Sequence, residues 1–155
     1  MSFIGVPDTA SPGFTTLIEN LEVDLFWGDV QYNQQYFRRL LLPSSLTDLN
    51  TVDKPVTTLR PGLLLGTLTG TNTIGVYTAL ETNGLETASL ILVQEVNMLD
   101  PRTGIAAAQL AVCTIGGNIK FGALVRGDAD PGAAPGAAER TDLSPEFKFD
   151  DHWES

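Results

Sequence analysis

The stretch "LRPGLLLGTLTGTNTIGVYTAL", Leu59 to Leu80, constrains the fold of this chain more than any other. Five leucines precede Leu80, and no charge follows Arg60, as in a buried helix. Gly62, Gly66, Gly70 and Gly75 argue against that reading, because each glycine inside a helix costs about 1 kcal/mol relative to alanine. The same glycines suit bends and bulges in a tightly curved sheet, so the leucines are read as strand core.

The surrounding region, from about Leu46 to Val125, follows strand rules. Val, Ile, Thr and Leu dominate it, and turn signals recur at short intervals: "RPG" from Arg60, "GTNT" from Gly70, "ETNGLE" from Glu81, "DPRTG" from Asp100 and "GGN" from Gly116. Strands are predicted near Leu63–Leu68, Thr73–Leu80, Thr87–Val96 and Ile105–Ile115. In "TASLILVQEV" polar residues stand only at the ends, as expected for a strand covered on both faces. A short helical turn is predicted at "KFGALV". The expected class is all-β, mainly strand with one or two short helices: a small β-barrel or sandwich body with an extended N-terminal arm and a flexible C-terminal tail.

With 155 residues the chain suffices for one core with appendages. Nineteen acidic residues against nine basic ones give a net charge of −10, which disfavours nucleic acid or an anionic membrane as partner. Cys113 is the sole cysteine, so neither an intramolecular disulfide nor a zinc framework is expected. No apolar run approaches the roughly 18 residues of a membrane span. The reading is a soluble protein made and kept in a reducing compartment.

Two flanking zones differ from this body. Residues 1–45 are read as an arm with a short helix. Met1 to Asp29 carries Asp8, Glu19, Glu22, Asp24 and Asp29 and no Lys or Arg. Within it "FTTLIENLEVDLFW" spaces apolar residues closely enough to demand burial against the body or a partner. Leu17, Leu21 and Leu25 have helical spacing, while Leu21, Val23 and Leu25 alternate as a strand does. In "DVQYNQQYFRRLLLP", Asp29 is a candidate cap for a short helix carrying Tyr32, Tyr36 and Leu40, ended by Pro43. Residues 46–126 form the β-rich core. Residues 127–155 are a Gly/Ala/Pro-rich acidic tail, in which Pro131 and Pro135 suggest a mobile linker. Its Phe147, Phe149 and Trp153 dock on the body, are read by another chain, or fray.

No catalytic constellation emerges. The single histidine, His152, lies three residues from the end, and Cys113 sits in the apolar "AQLAVCTI" with no histidine or cation near in sequence. Glu81, Glu86 and Glu95 supply carboxylates for a hydrolase only if the fold pairs them. Asp128 with Asp130, and Asp150 with Asp151, lack the rest of a calcium loop. "GLLLGTLTG" lacks the ending of a phosphate-binding loop, and the "RGD" at Arg126 is cheap by chance. The chain is read as a non-enzyme without cofactor, metal or small-molecule substrate.

In order along the chain, "LRPGLLLGTLTG", "IGVYTAL", "NGLETASLILVQEVNM" and "AQLAVCTIGGNIKFGALV" resemble the lambda-type phage head decoration (capsid-stabilising) family. The matching elements are Gly62 to Leu68, Val76 to Leu80, Gly84 to Val96 and Leu110 to Leu124, about half the chain. The chain departs from that pattern in its longer, acidic N-terminal zone and its Pro/Ala-rich tail. The resemblance implies a homotrimeric, β-rich cement protein on the outer surface of an icosahedral capsid, made in the host cytoplasm and found in the virion. The major capsid protein would be its partner, reached by the N-terminal arm. Candidate capsid or subunit contacts are Phe14, Leu17, Leu21, Val23, Leu25, Phe26, Trp27, Tyr32, Tyr36 and Phe37. The competing expectations are a β-rich tail or adhesin binding module, distinguished by copy number, and the carboxylate hydrolase.

Overall fold

A computed structural model gives the fold and describes residues 25–27, 33–50, 53–128 and 134–149. The chain is mainly β, built on an antiparallel sheet that curls into a half-barrel. Its strands are β1 (Phe37–Leu42), β3 (Leu64–Thr67), β4 (Ile74–Val76), β5 (Leu90–Leu92) and β7 (Gln109–Thr114). They are hydrogen-bonded in the order β1-β7-β5-β3-β4. Two smaller sheets complete the body. β2 (Thr58–Leu59) pairs with β6 (Val96–Asn97), and β8 (Gly117–Ile119) pairs in parallel with β9 (Phe147–Phe149).

The leucine run lies where its glycines demanded. Gly62 sits at φ +89 in the bend before β3, its amide bonded to the Leu92 carbonyl at 2.8 Å. Gly66 of β3 stands opposite Gly75 of β4. A Cβ on Gly66 would lie 2.9 Å from the Thr87 carbonyl oxygen, so the 84–87 loop rests directly on the bare backbone there.

Alternation of side chains divides the core between the two faces of the sheet. One face gathers Leu42, Leu65, Ile74, Leu90, Leu92, Ala111 and Cys113 with Leu46, Leu59, Val96 and Met98 inside the half-barrel. The other gathers Phe37, Leu64, Ile91 and Val112 under Leu25, Phe26, Ile119, Leu143 and Phe147. Leu90, Ile91 and Leu92 are therefore buried on both sides, as the unbroken apolar run predicted.

Several expectations are corrected. The 73–80 strand ends at Val76, because the chain turns away through Thr78 and Glu81. The 87–96 strand is split into β5 and β6, and β7 begins at Gln109 rather than Ile105. The expected helix through Tyr36 and Leu40 is a 3₁₀ turn, Gln34–Tyr36, followed by β1, so Leu40 is a strand residue. Six residues of β7 pair with β1 and bury Phe37 and Leu42, and that gain outweighs local helical spacing. The turn at "KFGALV" is present as a 3₁₀ helix, Phe121–Ala123.

The body also extends beyond residues 46–126. Leu25 and Phe26 are buried in it, and β1 forms one edge of its main sheet. Within the tail expected to be flexible, residues 134–149 are folded onto the body. Helix α1 (Ala137–Leu143) and β9 bring Leu143 and Phe147 into the core. Burial of these two side chains supplies the energy that composition alone did not reveal.

Candidate functional site

The groups with chemical potential are tied to structural tasks. Cys113, inside β7, is fully buried, and desolvation pushes its thiol up to about 12, so it remains protonated. Glu95 pairs with Lys54, Glu86 accepts the Gly84 amide at 3.0 Å, and Glu81 accepts from the Asn83 side chain at 3.3 Å. Among the described residues no three His, Cys, Asp or Glu side chains are grouped to hold a metal ion. No helix among them is long and apolar enough to cross a membrane. His152 and Asp130 lie outside the described residues.

Arg126 and Asp128 of the "RGD" neutralise each other. Arg126 Nε and Nη2 donate to the two carboxylate oxygens of Asp128, each at 3.0 Å. The Ala79 amide donates to the same carboxylate at 2.8 Å. Burial works against the charge of Asp128, but the Arg126 fork and the Ala79 amide outweigh it and hold its pKa below the ordinary carboxylate range. Such a depressed carboxyl stabilises the fold above its unfolded pKa, and this stability is lost as pH falls through the folded value. Asp128→Asn is therefore expected to flatten the fall in urea midpoint between about pH 5 and pH 2, where an unperturbed aspartate titrates near about 3.9. An unchanged acid limb would show that the pair carries no stability.

A second polar cluster fastens the C-terminal segment. The Tyr77 hydroxyl donates to Glu139 of α1 at 2.6 Å, and both residues are buried. Burial, then the bond to Glu139, raises the Tyr77 pKa well above that of a free phenol. The Ala88 amide donates to Asp142 at 3.3 Å. Arg140 lies over the rings of both Phe121 and Phe149, at 5.0 and 5.2 Å.

What remains accessible is surface. β1 is an edge of the main sheet, with Arg38 and Arg39 exposed along it. Beside them Leu41, 61% exposed, stands directly opposite Leu110 of β7, 64% exposed. Leu80 and Ile105 project from loops, at 95% and 68% exposure. Leu46, Ile74, Val76 and Leu85, with Ser45, Thr47, Thr73 and Thr78, line a cavity of about 270 Å³.

The contact residues expected from sequence fall into three groups. Leu25, Phe26 and Phe37 belong to the chain's own core, where Phe26 and Phe37 meet with ring centroids 5.3 Å apart. Trp27 and Tyr36 are half-buried, Trp27 under the Lys120 ammonium at 4.7 Å and Tyr36 against Gly116. Phe14, Leu17, Leu21, Val23 and Tyr32 lie outside the described residues. Missed altogether were Leu41 and Leu110. Their sole signal in the sequence was the "RR" beside Leu41, since their meeting depends on strand register.

Fold and surface together define an all-β body with an exposed edge strand, β1, on its main sheet. No family model, curated protein or solved structure matches the chain.

Proposed function

We propose that the chain is a decoration protein of a lambda-type phage head, which binds the outside of the capsid as a trimer and stabilises it against packaged DNA. The order of the four segments Gly62–Leu68, Val76–Leu80, Gly84–Val96 and Leu110–Leu124 carries this reading. It is supported by the half-barrel, to which these segments contribute β3, the end of β4, β5 and most of β7, with β8 and the start of β6 in the two smaller sheets. An exposed basic and apolar sheet edge suits a protein that works by association. The N-terminal arm is the part that reaches the shell: ordering it costs entropy, and many copies spanning capsomer boundaries make the clamp effective.

Burial of Leu25 and Phe26 sets how this is tested. Deleting residues 1–29 would strip two core side chains, so the arm must be cut before them. A chain lacking residues 1–18 is expected to fold with wild-type stability and to bind undecorated, expanded heads about 100-fold more weakly in co-sedimentation, since each copy loses its second attachment. Head binding at wild-type strength would remove the arm from the mechanism. Failure of the full-length chain to bind heads at all would remove the capsid reading.

A further inference from the structure

The outer face of the main sheet is only partly covered. Phe37 of β1, Val112 of β7 and Val93 lie in the cluster closed by Phe26, Leu143 and Phe147. Farther along the same strands that cover stops. β1 keeps its register with β7 to Leu42↔Gln109, so Arg39 stands beside Val112 and Leu41 beside Leu110. On the other side of β7 one register runs from Ile91↔Thr114 to the bridge Leu99↔Ala106. Two bonds keep step with it: the Val93 amide donates to the Val112 carbonyl at 3.0 Å, and the Ala107 amide to the Met98 carbonyl at 2.8 Å. Glu95 therefore falls abreast of Leu110, and Asn97 abreast of Ala108.

Alternate residues of a strand share a face. Ala106, Ala108 and Leu110 thus continue the face of Val112, and Arg39 and Leu41 continue that of Phe37; all five are exposed. The result is a three-stranded platform that is apolar along its middle and charged on its flanks. The Arg39 guanidinium marks the β1 flank, and the exposed Glu95 carboxylate marks the opposite one, two strand spacings or about 10 Å away. Glu95 pairs with Lys54 through Oε1, which leaves Oε2 for a second cation. Apolar residues gathered on an exposed face mark a surface that associates.

Opposite charges on opposite flanks make this platform complementary to a copy of itself. We infer that two copies of the chain stack platform on platform about a two-fold axis that runs along β7. Such an axis sets β1 of one copy over the 91–99 segment of the other. Leu110 then meets Leu110 at the centre, and Arg39 of each copy faces Glu95 of the other, offset by two residues or about 7 Å along the strand, within an arginine's reach. An axis across the strands would instead set Arg39 on Arg39, and like charges placed opposite each other are destabilising. Strands that stay aligned across about 10 Å are the ordinary geometry of packed sheets. The contact is isologous and closes with two copies. Being two-fold, it is separate from the three-fold contact of the capsid reading and does not depend on it.

The test uses the full-length chain, without heads. Sedimentation equilibrium is expected to show a dimer forming at about 100 µM, since the platform offers fewer than the roughly 20–30 residues a side of a standard interface. Leu110→Asp sets two carboxylates on the axis and is expected to weaken the dimer by more than about 100-fold. Arg39→Glu is expected to weaken it by about tenfold, and adding Glu95→Arg to that chain to restore it to within about threefold of wild type. Under mild oxidation Leu110→Cys is expected to give linked pairs, whereas Leu80→Cys, off the platform, is not. Cys113 is buried and does not compete. All four substituted positions are exposed, so the variants are expected to fold. A wild-type chain monomeric up to about 1 mM overturns the inference. So does a Leu110→Asp chain that associates as wild type does, linkage at Leu80 as ready as at Leu110, or a double reversal no better than Arg39→Glu alone. None of these outcomes bears on head binding, so the capsid reading stands or falls separately.

Discussion

Replacing Gly62 with alanine is expected to lower the unfolding free energy by about 3 kcal/mol or more, read as a shift of the urea midpoint at unchanged slope. Two costs combine. The residue sits at φ +89, where an L side chain pays roughly 1–2 kcal/mol. An added Cβ would also stand 2.5 Å from the Ala123 carbonyl oxygen and 3.2 Å from Leu25 Cδ2. The Ala123 carbonyl does not yield cheaply. The Gly62 carbonyl accepts the Val125 amide at 2.9 Å, and the Leu64 amide donates to the Val125 carbonyl at 3.0 Å, so the 123–125 backbone is clamped in place. Gly70 provides the control, with the same φ of +89 but open space around it. Gly70→Ala should cost about 1–2 kcal/mol, and the difference between the two measures the crowding at Gly62. Equal effects would mean that Gly62 is kept for its backbone angle alone.

Phe147→Ala is expected to cost about 3–5 kcal/mol, the range for a fully enclosed phenylalanine. Phe147 is 2% exposed and belongs to the cluster of Leu25, Phe26, Ile119 and Leu143. It also opens β9, whose parallel pairing to β8 depends on staying against that cluster. Lys148, next in sequence and exposed, should change stability by less than about 0.5 kcal/mol when replaced by alanine. The pair of variants separates a docked segment from a frayed end. If Phe147→Ala left the urea midpoint unchanged, β9 would contribute nothing to the fold. Limited proteolysis adds a second readout: loss of Phe147 should speed cleavage near residues 134–149 and leave the half-barrel intact.

Much of the body is legible in the sequence. The glycines of "LRPGLLLGTLTG" ruled out a helix through local conformational cost alone. The unbroken "LILV" marked a strand covered on both sides, and Leu90, Ile91 and Leu92 are so covered. Cys113, set in the apolar "AQLAVCTI", is buried as that setting implies. The edge strand was less legible. "FRRLLL" contains two cations and three leucines in a row, which fit a short helix and an edge strand equally well. Pairing with β7 makes it a strand and sets Leu41 opposite Leu110. Phe26 and Phe37, expected as contacts, lie inside the body, where they help cover the second face of the sheet.

The sequence by itself determined the β class, the places where the backbone bends and the residues too apolar to remain in water, since each depends on local sterics or on a side chain's own hydration. Tertiary structure decided that β1 is an edge strand, that residues 134–149 close over the sheet, and which leucines stay exposed. Those outcomes depend on energies shared between segments far apart in sequence: Tyr77 with Glu139, Phe147 with Leu25, Leu41 beside Leu110. A leucine carries no mark of whether another segment will cover it.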